Sequence, residues 1–212
     1  MILLQHYYHL KQLINDRKDN LMNNRNTTTQ NAKRSSVGDL VLTAMFTALL
    51  CIMAQISIPM QPIPLTLSLF ALFLIGALLK PRYAFLSALV YLLLGAFGAP
   101  VFAGFRGGLM QLTGPTGGYL LAYPLMTLIT ALSLKLGRKY RLPALAFGMT
   151  FSLLLCYTIG TLWFTFISGK SLYVALTLCV FPFIPLDIVK IILTISVSTI
   201  IQNTALRQRQ SL

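Results

Sequence analysis

Between residues 37 and 206 the chain repeats one pattern, an apolar run long enough to approach or cross a bilayer followed by a short polar break. About 20 apolar residues span the hydrocarbon core as a helix. Backbone groups in lipid must find their partners inside the segment. The recurrence therefore restricts the chain to a helical membrane bundle. As a soluble fold it would lack a coat, because charged residues make up 10% and mean hydropathy is +0.75, against about 25% charged residues in a soluble domain. The pattern predicts an all-α membrane protein with six transmembrane helices, at 37–57, 65–79, 83–97, 118–136, 144–168 and 185–206, with a shorter apolar piece at 172–180. Neither an internal repeat nor an inverted one is visible, unlike many secondary transporters.

The net charge of +13 is distributed unevenly. Six of the 17 Lys and Arg precede residue 37, two (Lys80, Arg82) flank the turn between the second and third spans, four fill 135–141, and Arg207 and Arg209 close the chain. A six-span arrangement puts all of these on one side, leaving Arg106, Lys170 and Lys190 elsewhere. This is the positive-inside bias, and it predicts that both termini are cytoplasmic. Nucleic-acid binding is disfavoured, since no basic patch interleaves with aromatics.

Residues 1–36 read as a cytoplasmic N-terminal extension. Ile2, Leu3, Leu10, Leu13 and Ile14 can share the face of a surface helix, and the asparagine-rich 20–31 segment reads as disordered. There is no signal-peptide pattern. His6 and His9 have no third ligand nearby, and Cys51, Cys156 and Cys179 are widely spaced, so neither a metal site nor a disulfide is indicated. Residues 37–206 form the membrane domain and 207–212 a cytoplasmic tail.

The third and fourth spans are joined by GAPVFAGFRGGLMQLTGPTGG, residues 98–118, with seven glycines, two prolines and one charge, Arg106. A simple tether needs only a few polar residues. So much glycine implies tight bends and close backbone approach, and the stretch reads as a folded glycine-rich lid on the extracellular side.

There is no glutamate, and Asp187 is the one acid in the body of the membrane domain, with Lys190 three residues later on the same helix face. Charges at a membrane helix centre cost about 2.5–3.5 kcal/mol on insertion scales, less toward the ends. Two readings fit. Pro185 suits a first helical position and Asp187 the first turn, where it meets the helix dipole, with Lys190 as its ion-pair partner. Alternatively the pair faces a ligand. Arg106, on the same side, favours the second reading. Two cations and one anion suit a small carboxylate that also carries neutral donors and acceptors. Tyr91, Phe102, Phe105, Tyr119, Tyr157 and Trp163 then either wall an apolar ligand body or serve packing and the interface belt. No metalloprotease, nucleophile-elbow, paired-acid or Walker A pattern occurs, so the chain is expected to be neither an enzyme nor an ATPase, and to need no cofactor. Ala44 and Ala48, four apart beside Thr43 and Thr47, make a small helix face that another helix can approach.

Several segments together resemble the BioY family, the biotin-binding S components of energy-coupling factor (ECF) transporters. They are TAMFTALL, AQISIPMQPIPLTL, LIGALLKPRYAFLSALVYLLLGAFGAPVFAG, GPTGGYLLAYP and FPFIPLDIVKI, within about residues 40–206. The resemblance implies a multi-pass protein of a prokaryotic plasma membrane that takes biotin from outside. It implies docking, through Ala44 and Ala48, on a module of one transmembrane coupling subunit and two ATPase subunits. Arg106, Asp187 and Lys190 carry over as ligand contacts, and Gln55, Thr66, Tyr91, Tyr119 and Tyr157 complete the expected set. Ser68 stands after PLTL where the family often has Gln. A different carboxylate vitamin, or a solitary biotin transporter or sensor, is the alternative.

Overall fold

The computed structural model describes residues 37–137 and 140–210. The surface helix and disordered segment expected within 1–36 lie outside the described residues. The chain divides into two units, Met1–Val41 and Leu42–Leu212. Of the first, only residues 37–41 are described, and they are helical. The remainder concerns the second.

The helix that enters the second unit, α1, is Val37–Gln55. A two-stranded antiparallel hairpin follows, β1 (Ser57–Ile58) and β2 (Leu65–Thr66), pairing Ser57 with Thr66 and Ile58 with Leu65. Then come α2 (Ser68–Leu78), α3 (Pro81–Ala96), a short α4 (Leu109–Thr113), α5 (Gly117–Leu136), α6 (Arg141–Ser168), α7 (Leu172–Cys179) and α8 (Ile184–Gln210). Among the described residues four helical stretches are long and apolar enough to cross a membrane, Val37–Gln55, Gly117–Leu136, Arg141–Ser168 and Ile184–Ile201. The shorter Ser68–Leu78 and Pro81–Ala96 are also apolar.

The expected second span begins later than the hydropathy suggests because Leu65 and Thr66 are taken up in the hairpin. The prolines at 59, 62 and 64 lack the N–H that a longer ladder would need, so the hairpin stays short. At 1.5 Å per residue α2 covers only about 16 Å. It is buried on nearly every side from Ala71 to Ala77, which is why its sequence carries no amphipathic period.

Helix α5 is the hub, packed against α6, α3 and α2, while α2 also packs on α8 and α7 on α6. Small residues allow these approaches. A side chain at Gly76 of α2 would meet Thr130 of α5, 2.6 Å away, and one at Gly148 of α6 would collide with Ser133. Hydroxyls join the helices, Thr130 to Ser152 at 3.2 Å between α5 and α6, and Thr47 to Ser87 at 3.0 Å between α1 and α3. Thr43, Thr47, Leu50 and Ala54 turn α1 inward, whereas Ala44 and Ala48 lie on its exposed side.

Candidate functional site

The glycine-rich segment is a folded structure. Phe102 and Arg106 exchange backbone hydrogen bonds of 2.9 and 3.2 Å, closing a loop with Gly104 and Phe105 at its tip. Gly104 and Gly108 have φ of 72° and 94°, a region that L side chains rarely enter. Three helices hold the segment. The Gln55 side chain of α1 accepts from Phe105 N–H at 2.9 Å and donates to the Pro100 carbonyl at 3.3 Å. The Gly95 carbonyl of α3 accepts from Gly108 N–H at 2.6 Å, and the Phe102 ring lies over Gly95 where any side chain would collide with it. The Trp163 indole of α6 donates to the Gly114 carbonyl at 2.9 Å.

Beneath this segment lie two neighbouring cavities that share part of their lining, an outer and an inner lobe. The outer lobe is lined by Tyr91, Phe102, Arg106, Gln111, Thr116 and Ser68, among others, with Arg106 exposed at its rim. The inner lobe is lined by Cys156, Tyr157, Cys179, Phe183, Asp187 and Lys190. Ile63, Pro64, Thr66, Tyr119 and Tyr123 line both. The hairpin thus has a definite task, because its closing strand and loop deliver Ile63, Pro64 and Thr66 to the junction of the two lobes.

The inner lobe is built on the first turn of α8. Asp187 is fully buried and Lys190 is 5% exposed. Lys190 Nζ lies 2.7 Å from Asp187 Oδ1, and the Tyr157 hydroxyl donates to Asp187 Oδ2 at 2.6 Å. Asp187 also sits where the positive end of the α8 dipole favours an anion. These interactions offset the desolvation of two charges, which otherwise costs several kcal/mol per ion. An ammonium has three donors and each carboxylate oxygen can accept more than once, so the network retains donor and acceptor capacity beside the cavity. The capping and ligand-facing arrangements coexist, since the ion pair forms and both residues line the lobe.

The outer lobe is an aromatic and hydroxyl chamber. Tyr91 meets Phe102 edge-on at 5.5 Å and stacks on Tyr123 at 6.3 Å. Tyr119 bonds Thr161 at 3.1 Å, and Thr66 bonds the buried Ser68 at 2.9 Å. Of the residues expected from sequence, Arg106, Asp187, Lys190, Tyr91, Tyr119, Tyr157, Thr66 and Phe102 line this cavity. Gln55, Phe105 and Trp163 line neither lobe. Gln55 and Trp163 hold the glycine-rich segment, and Phe105 is 72% exposed at its tip. Arg106 and the Asp187–Lys190 pair do not meet in a single lobe but line separate ones. Sequence reasoning missed Tyr123, Gln111 and Thr116, and noted Ser68 only as standing where the family often has Gln. Tyr123 carried a usable signal, four residues after Tyr119 and hence on the same helix face.

The sequence model described as the BioY family matches residues 23–207. The chain belongs to the BioY family. A probable biotin transporter BioY of Pyrococcus horikoshii is 45% identical over 153 residues, covering 72% of this chain and 88% of the relative. The biotin transporter BioY2 of Lactococcus lactis is 37% identical, covering 77% and 88% respectively. A crystal structure of the S-component for biotin from an ECF-type ABC transporter superposes with a TM-score of 0.75 at 27% identity, over 80% of this BioY chain and 93% of that one.

Proposed function

We infer that this chain is the S component that captures biotin at the membrane and passes it to an ATP-driven ECF module. The observation that carries the reading is the buried Asp187–Lys190–Tyr157 network opening on an aromatic cavity with Arg106 at its rim, in a chain of the BioY family. Biotin presents two ureido N–H donors beside one carbonyl, an apolar thioether ring and a carboxylate tail. Asp187 accepts from a ureido N–H, Lys190 donates to the ureido oxygen, the tyrosines flank the ring, and Arg106 meets the valerate. None of these roles transfers a proton or forms a covalent bond, so the chain acts as a binding subunit and not as an enzyme.

In this reading the six apolar helices all lie in the membrane, with both termini cytoplasmic and the lid outside, the last on the strength of the basic residues gathered at the opposite helix ends. Residues 1–36 and 207–212 flank the membrane domain in the cytoplasm. The coupling subunit docks on the exposed Ala44–Ala48 side of α1, which buries little of its own apolar surface, and two ATPase subunits complete the module.

Titration calorimetry of purified protein with biotin, without ATP, tests the assignment. Saturable heat at one site is expected. Heat with another carboxylate vitamin and none with biotin would reverse it. Replacing Ala44 or Ala48 with Trp should leave that heat intact and abolish ATP-driven uptake by the assembled transporter. Cross-linking the lid to the start of α8 should block biotin entry.

A further inference from the structure

Beside the outer lobe lies a larger cavity to which the biotin reading gives no role. Pro62, Pro64, Ala103, Arg106, Gln111 and Thr116 line both. The loop of the hairpin adds Pro59, Met60 and Gln61, and the glycine-rich segment adds Met110 and Pro115. All of these added residues are exposed, so the cavity is a vestibule open to solvent. It measures about 520 Å³, against about 90 Å³ for the outer lobe. Among the described residues Arg106 is the one charged residue in either lining. A site made to end at a free carboxylate would close behind the cation that meets it. Here the cation borders the larger space as well. The walls of that space are chemically mixed. Proline rings fix their own φ, so the hairpin side is pre-formed, as ligand sites usually are. Methionine side chains adapt to aliphatic chains of varied shape. The Gln61 and Gln111 amides and the Thr116 hydroxyl each donate and accept.

We propose that the vestibule holds the substituent of a biotin whose carboxyl is already joined by an amide to an amine, so that the ligand class extends to biotinyl-lysine and short peptides that carry it. The inference rests on the biotin reading and deepens it. In that reading the valerate points to Arg106, and Arg106 lines both spaces, so whatever prolongs the valerate enters the vestibule. The aliphatic lysine stem suits Met60, Met110 and the prolines. Its α-amino and α-carboxylate groups suit the glutamine amides and the Arg106 guanidinium. Amide linkage removes the charge of the valerate, and the α-carboxylate brings an anion back to the same cation. No bond forms or breaks in the site.

The test is titration calorimetry of the full chain in detergent micelles with biotin, biotin methylamide and Nε-biotinyl-lysine. All should compete for one site. Nε-biotinyl-lysine should bind about tenfold more tightly than biotin methylamide, which has the amide and no stem. Equal affinities of those two would overturn the proposal. So would heat from biotin with none from Nε-biotinyl-lysine, because the site would then close at Arg106. Met60→Trp combined with Met110→Trp should fill the vestibule, lower the affinity for Nε-biotinyl-lysine about tenfold and leave that for biotin within about twofold. Unchanged binding of both ligands by this variant would overturn the proposal, since the stem would then lie in open solvent. Equal loss of both would overturn it as well, since the vestibule would then be part of the biotin site. Heat from none of the probes would overturn the biotin assignment itself, and this inference with it.

Discussion

The outer and inner lobes beneath the glycine-rich segment are built on opposite principles. At the inner end Asp187, Lys190 and Tyr157 stand on long helices, and bonds of 2.6 and 2.7 Å fix them among buried neighbours. At the outer end Arg106 stands on a loop held by neutral hydrogen bonds to the Gln55 side chain, the Gly95 carbonyl and the Trp163 indole. The inner end cannot move without stranding a charge. The outer bonds can be released one at a time at the cost of a neutral hydrogen bond each, and no helix need unwind. On the function proposed above, such a division would suit a protein that must both recognise and release its ligand, with specificity in the rigid part and access in the yielding part.

That contrast can be broken most severely at Asp187. Asp187→Ala leaves Lys190 as a buried cation without its partner, a change that typically costs about 3–5 kcal/mol. Calorimetry should find biotin binding abolished, and thermal unfolding should show a destabilised protein. The double variant Asp187→Ala/Lys190→Ala should recover much of the stability and none of the binding. If the single variant bound biotin normally, the inner end would not be the recognition site. Tyr157→Phe removes one hydrogen bond to a carboxylate, worth about 1.5–3 kcal/mol, so affinity should fall by roughly ten- to a hundredfold. Arg106 is exposed, and an exposed ionic contact is worth about 1 kcal/mol or less. Arg106→Gln should therefore weaken biotin by about fivefold and leave the amide of biotin, which lacks the carboxylate, unaffected. The smallest effect is expected at Gln55. Gln55→Ala frees Phe105 N–H and the Pro100 carbonyl, and by the neutral hydrogen-bond scale of about 0.5–1.5 kcal/mol it should speed biotin dissociation several-fold with little change at the inner end. A stopped-flow chase would measure it, and a loss as large as that of Tyr157→Phe would erase the distinction between the two ends.

The parts of this structure legible in sequence are those governed by local rules. Apolar runs gave helix positions to within a few residues, since lipid demands helices of a set length. Asp187 and Lys190 stood out because charge is rare in such a chain, and Arg106 because it is the sole charge in a glycine-rich stretch. What remained hidden depends on contacts between distant segments. Nothing near Gln55 announces that its amide reaches Phe105, fifty residues on. The pairing of Ser57 with Thr66 is two residues long, too short for strand alternation to register. Ser68 reads as an ordinary helix-entry serine until Thr66 is folded beside it. For Trp163 the sequence leaves a cavity wall and a packing role both open, and only the packing of α6 against the start of α5 turns its indole toward Gly114.

That indole has a practical consequence. The chain contains a single tryptophan, and it is bonded to Gly114 of the glycine-rich segment. Tryptophan emission excited beyond the tyrosine absorption band thus originates at one point, beside the end of that segment. Any displacement of that segment can be followed in real time in the native sequence, without dye, cysteine engineering or spin label.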